Sequence, residues 1–144
     1  MSFHVNAQTL TRELLKGNKW IYVNNSSVTS DYYRVFDDNY VYDSHHIHYT
    51  HPGRGTKIDT TIVITYAYYL SDTIPDKFEY AKVGKIPKGK YIIEHNESSK
   101  YVDADDATIY KVTKITENEM VLTHVKNTFE VIGMPGGSDT YRKE

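Results

Sequence analysis

The chain has 144 residues, a length that makes one domain with its own core, and no apolar run in it reaches the length of a membrane span. Its formal net charge of −2 argues against an electrostatic nucleic-acid binder, and the lack of cysteine removes disulfides, thiolate metal sites, cysteine nucleophiles and a cysteine-linked lipid anchor. Aromatic residues make up 13%, and 14 of the residues are tyrosine, whose apolar ring and polar tip suit half-buried β surfaces and binding-site walls.

The stretch Ser2-Phe3-His4-Val5-Asn6-Ala7-Gln8 is similar to the tail of a bacterial secretory signal. Val5-x-Ala7 fits the small-residue rule at a cleavage site, with Gln8 as the mature N-terminus. The alternative is an ordinary disordered leader. On either reading residues 1–8 stand outside the fold, and residues 9–144 form a single domain.

Residues 9–16 (TLTRELLK) have the length of about two helical turns. Thr9 or Thr11 serves as N-cap and Gly17 as the stop. Leu10, Leu14 and Leu15 share a face, as expected of a plug or lid helix. After Gly17 the hydrophobic period changes to two. Segments 18–24, 31–37, 39–50, 57–70, 77–83, 89–95, 107–116, 119–126 and 138–143 read as strands, rich in Val, Ile, Thr and Tyr. Turn signals separate them, among them Asn24-Asn25-Ser26-Ser27, Asp37-Asp38-Asn39, Pro52-Gly53-Arg54-Gly55, Pro87-Lys88-Gly89, Glu117-Asn118 and Pro135-Gly136-Gly137.

Sequential strands with short turns predict an all-β fold, an antiparallel up-and-down β-barrel of about eight strands behind a short N-terminal helix. A sandwich is the alternative. In the longest candidate, 57–70, the more apolar face carries Ile58, Thr60, Ile62, Ile64, Tyr66, Tyr68 and Leu70 and is expected to point inward.

Four histidines, His45, His46, His48 and His51, fall within seven residues. On a strand His46 and His48 share a face, the arrangement that chelates a divalent metal. A zinc site then needs a third ligand, for which His95, Glu94 and His124 are the candidates. The simpler reading is a polar strand end, and no metal or other cofactor is expected. Gly84-Lys85-Ile86-Pro87-Lys88-Gly89-Lys90-Tyr91 matches the phosphate-loop spacing, but it lacks the Ser or Thr that ligates magnesium and runs into a strand instead of a helix. Asp103-Ala104-Asp105-Asp106 has neither the glycine nor the glutamate of a calcium loop and reads as a solvated turn. No Gly-x-Ser-x-Gly elbow is present, and nothing marks an acid–base pair, so the chain is expected not to be an enzyme. The tyrosines are the functional lead. Tyr40, Tyr42, Tyr66 and Tyr68, if they converge inside the barrel, make an aromatic cavity with polar tips.

Three features carry a family resemblance. A short helix runs into Gly17-Asn18-Lys19-Trp20, a late hairpin spans Tyr110 to Leu122 around Thr116-Glu117-Asn118-Glu119, and the chain closes on Thr140-Tyr141-Arg142-Lys143-Glu144. In these the chain resembles the lipocalin-like (calycin) domains of secreted bacterial proteins, especially those of Bacteroidetes. The family opens its first strand with Gly-x-Trp, whereas the spacing here is Gly-x-x-Trp, one residue longer. The resemblance implies a secreted or periplasmic barrel with a central cavity, and a basic residue from the barrel's end lying over the tryptophan. Arg142 over Trp20 would be a cation–π contact of roughly 0.5–2 kcal/mol that closes the last strand on the first. The expected function is non-catalytic binding of a small apolar or aromatic ligand. The alternative is a protein-interaction barrel with a protease or toxin as partner, a protease inhibitor or immunity protein contacting through residues 1–8, 52–56 and 132–138.

Overall fold

The structure, a computed structural model, describes residues 9–23, 31–128 and 136–144. A one-turn helix α1 (Arg12–Leu15) precedes eight strands: β1 (Lys19–Val23), β2 (Tyr32–Phe36), β3 (Tyr40–Thr50), β4 (Lys57–Ser71), β5 (Tyr91–Asn96), β6 (Thr108–Ile115), β7 (Glu119–Asn127) and β8 (Ser138–Lys143). Each strand pairs antiparallel with its sequence neighbours, and β8 returns to pair with β1, so the sheet is a closed up-and-down barrel. Closure removes the free sheet edges that an open sheet would leave for aggregation.

The helix is shorter than the two turns expected. Thr11 caps it, its hydroxyl accepting from the Leu14 N–H at 3.2 Å. Gly17, at φ +75°, ends it in the left-handed region that glycine enters without a Cβ clash. Leu10 and Leu15 are buried with Trp20, Phe36, Met120 and Ile115, so the segment plugs one end of the barrel. The Trp20 indole N–H donates to the Leu15 carbonyl at 3.1 Å, tying the plug to β1.

Segment 77–83, expected as a strand, instead contains a 3-10 turn at Tyr80–Lys82. Its apolar residues serve a second core outside the barrel. Phe78 packs with Ala67, Tyr69, Ile93, Ala107 and Ile109, the outward residues of β4, β5 and β6 and their connection. These strands are therefore buried on both faces, so the 77–83 run has the composition of a strand without a ladder to join. The glycines of the apparent phosphate loop have backbone roles. Gly84 sits at φ +75°, and a Cβ on Gly89 would come within 2.6 Å of the Ser71 backbone nitrogen.

Barrel closure is where the expected Trp20–Arg142 contact fails. Tyr141 pairs with Tyr22 and Arg142 with Ile21. Trp20 points inward and is fully buried, while Arg142, one residue from the inward Tyr141, lies exposed on the outer wall. Strand pairing, not a guanidinium on the indole, joins the ends.

Replacing Phe78 by alanine is expected to lower stability by about 3–5 kcal/mol, read from urea denaturation. Ile62→Ala, at an exposed site on β4, should change it by no more than about 0.5 kcal/mol.

Candidate functional site

Alternation along the strands places Tyr32, Arg34 and Phe36 of β2, Val41, Asp43 and His45 of β3, Tyr66, Tyr68 and Leu70 of β4, and Ile92 and Glu94 of β5 in the barrel interior. At its middle lies Arg34, only 2% exposed. Its Nε donates to Asp43 Oδ1 and its Nη2 to Glu94 Oε1, the latter at 2.6 Å. The rings of Phe36, Tyr66 and Tyr110 surround the guanidinium with centroids 5.5, 5.9 and 5.7 Å away. The Tyr32 hydroxyl donates to Asp43 Oδ2 at 3.2 Å.

A desolvated guanidinium needs both counter-charge and hydrogen bonds, and this arrangement provides them. With both carboxyls ionised the group is formally −1. Burial raises the Glu94 carboxyl above the ordinary glutamate range against the pull of Arg34. Among the described residues Glu94 Oε2 has no hydrogen-bonding partner, and Glu94 also lines a cavity of about 150 Å³ with Tyr66, Asn96, Asp106 and Thr108. The two carboxylates keep the guanidinium charged. Burial pushes the Tyr66 and Tyr141 phenols each up to about 12, so both remain hydrogen-bond donors at neutral pH.

Below this cluster, toward α1, the interior is filled by Trp20, Phe36, Tyr68, Leu70, Ile92 and Met120. Above it the barrel opens into a pocket of about 420 Å³ lined by Tyr22, Asp31, Tyr32, His45, His46, Ile47, Asp139 and Tyr141. Three of its tyrosines touch one another. Tyr22 meets Tyr32 at 5.4 Å and Tyr141 at 5.8 Å between ring centroids, Tyr32 meets Tyr141 at 6.1 Å, and His45 lies 4.3 Å from Tyr32.

The four tyrosines expected to converge do not. Tyr66 and Tyr68 face inward, Tyr66 beside Arg34 and Tyr68 packed on Phe36 with its hydroxyl donating to the Asp37 carbonyl at 2.5 Å. Tyr40 and Tyr42 lie on the outer wall, opposite Ala67 and Thr65. Tyr42 bonds Asp37 at 3.1 Å, and Tyr40 packs against the outer core. The aromatic residues of the mouth come from β1, β2 and β8 instead.

His46 and His48 share the outer face of β3, as expected, with ring centroids 3.8 Å apart. None of the expected third ligands is near them. Glu94 is inside the barrel, His95 bonds the Asp106 carbonyl at 2.7 Å beneath Phe78, and His124 bonds Asn127 at 3.0 Å. Asp31 and Asp59 approach the pair instead. Of the loop contact candidates, 52–56 forms the tip of the β3–β4 hairpin, while 1–8 and 132–135 lie outside the described residues.

No family model, curated protein or solved structure matches the chain.

Substituting Arg34 by methionine leaves Asp43 and Glu94 buried without their counter-charge and should cost about 3–5 kcal/mol at pH 7.5. In that variant burial raises the Glu94 carboxyl without the opposing pull of Arg34. Stability is then retained below about pH 4.3, the unfolded glutamate value, and lost as pH rises through the raised folded value. Urea titrations at pH 4.5 and 7.5 should therefore show a smaller deficit at the lower pH.

Proposed function

We propose that the chain is a non-catalytic binding protein whose barrel mouth takes a small aromatic molecule carrying an amine. The tyrosine trio at an open pocket of about 420 Å³ is the observation that carries this reading. Pockets of a few hundred Å³ with aromatic walls and a few placed polar groups suit small ligands. The apolar half of the interior is already filled by side chains, so the ligand belongs in the tyrosine-lined half. Among the described residues the acidic side chains at the pocket are Asp31 and Asp139 and neither lysine nor arginine lines it, and tyrosine faces attract cations. An ammonium group on an aromatic body fits these walls better than a carboxylate. In this reading the barrel is a lipocalin-like (calycin) one, secreted or periplasmic. The eight-strand closure supports that relationship, while the Gly-x-x-Trp spacing before β1 and the exposed Arg142 depart from it.

One observation favours a second reading. Among the described residues β3 and β4 continue beyond the barrel rim as a two-stranded ribbon whose inner face exposes Ile47, Tyr49, Ile58 and Ile62 at 40–47%. An apolar face of this kind suits a protein partner, as in a protease inhibitor or immunity protein.

Titration with 2-phenylethylamine and with 3-phenylpropionate, matched in ring and chain, separates the readings. By calorimetry and NMR the amine should bind at least tenfold more tightly, shift resonances of Tyr22, Tyr32 and Tyr141, and weaken in Asp139→Asn while the acid does not. If neither compound moves those resonances, the mouth is not a small-molecule site and the ribbon reading takes precedence.

A further inference from the structure

We propose that Asp31, His46 and His48 form a zinc-binding site on the outer wall of the ribbon, with Asp59 as the carboxylate that orients both imidazoles. The site shares Asp31 and His46 with the wall of the tyrosine-lined pocket, but its ligand set needs no small molecule there.

Strand alternation is the starting point. His46 and His48 are two apart on β3, so their side chains leave the same face and their rings lie side by side. Asp31 comes from the residue just before β2. It is held there by the backbone, since the His46 N–H donates to the Asp31 carbonyl at 2.7 Å. Its Oδ1 stands 3.7 Å from His46 Nδ1 and 3.6 Å from His48 Nε2. One ligand atom from each of the three residues lies within 4.8 Å of the others.

Those separations match what a metal requires. Zinc–nitrogen and zinc–oxygen bonds of about 2.0–2.1 Å in a tetrahedron put neighbouring ligand atoms about 3.3 Å apart. The two gaps to Asp31 close to that value with shifts of a few tenths of an ångström, and the histidine ligand atoms lie within 4.8 Å of each other. Three protein ligands leave a fourth position, which faces solvent because His48 is exposed. Two imidazoles and one carboxylate are a borderline donor set that selects zinc over calcium or magnesium, which prefer all-oxygen shells.

The remaining ring nitrogens supply the second argument. His46 Nε2 hydrogen-bonds Asp59 Oδ1, and His48 Nδ1 lies 3.8 Å from the same oxygen. Zinc-bound histidines characteristically donate their far N–H to a carboxylate, which fixes the tautomer and raises the basicity of the ligating nitrogen. With Asp59 on His46 Nε2, the Nδ1 lone pair is turned toward Asp31. Asp59 is placed for this by register, since it pairs directly with His48 across the ribbon. Among the described residues, the ion-pair partners of Asp31 and Asp59 are these two histidines, so no lysine or arginine competes with a cation for the carboxylates.

The test is zinc(II) titration of the chelator-treated full chain by calorimetry, with cobalt(II) as an optical probe of tetrahedral coordination. The expected result is one saturable site per chain with a tetrahedral cobalt spectrum. Binding should fall at least 100-fold in His48→Ala and in Asp31→Asn, and about 10–100-fold in Asp59→Asn. It should be unchanged in His51→Ala, which alters an exposed histidine of the hairpin turn outside the site. These are exposed or half-exposed positions, and unchanged urea midpoints without metal would show that the variants fold. No saturable binding by the full chain would overturn the proposal. So would binding that persists in the His46→Ala, His48→Ala double variant, or an equal loss in His51→Ala.

Discussion

A guanidinium at the centre of a closed barrel constrains everything placed around it. Arg34 cannot reach water, so β3 must present Asp43 and β5 must present Glu94 at its level. Those three strands are brought into that alignment by their ladders, with Arg34 opposite Asp43 across β2–β3 and Tyr68 opposite Glu94 across β4–β5. A slip of one residue in either pairing would turn a charge out of the barrel and an outer-wall side chain in. Buried ion clusters of this kind add little net stability compared with a hydrophobic filling. What the cluster does impose is register, because only one alignment satisfies all three charges.

The cluster also divides the interior into two environments. Toward α1 the space is filled by large apolar side chains and closed by Leu10 and Leu15. Toward the mouth, tyrosine replaces leucine and isoleucine. A wall there must be apolar enough to pack and polar enough to meet charges and water, and a phenol does both. Tyr32 shows this directly, its ring in contact with Tyr22 and Tyr141 and its hydroxyl bonded to Asp43. Asp31 and Asp139 give the mouth a negative bias.

Much of the barrel is readable in the sequence because its strands obey a period of two and its turns carry Gly, Pro, Asn and Asp. The inward face of β4, from Ile58 to Leu70, follows from alternation alone. The site was harder to read, for physical reasons. Tyr40 and Tyr66 are both tyrosines on neighbouring strands, but which of them faces inward depends on register, and Ala67 opposite Tyr40 sets it. Tyr22, Tyr32 and Tyr141 come together only through closure between β1 and β8, a contact between the two ends of the chain. Arg34 gives no local signal, since one arginine in a strand looks solvent-exposed until Asp43 and Glu94 are placed against it. Phe78 was misread because a segment covering the outside of a sheet needs the same apolar residues as a strand within it. Asp31 and Asp59 approach His46 from another strand start and from across the ribbon, so spacing around the histidines could not find them.

The ribbon is the part of the fold that barrel closure does not require. β4 has 15 residues, while β5, which flanks it, has six. β2 covers β3 only as far as His45, and β5 covers β4 only from Tyr66. Among the described residues the ladder from His46 opposite Thr61 to Thr50 opposite Lys57 therefore stands as a two-stranded hairpin, an arrangement that is at best marginally stable by itself in water. Its inner face offers Ile47, Tyr49, Ile58 and Ile62 to solvent, a loss of burial that the barrel core does not recover. Its outer face holds it by side-chain contacts. Asp59 links the two histidines across the ribbon, and Asp31 ties the histidines to the start of β2. Since Asp31 and His46 also line the mouth, whatever tightens the outer face also fixes the rim through which a ligand would pass. The outer histidines and the inner tyrosines are thus mechanically one structure, joined through the residue that begins β2.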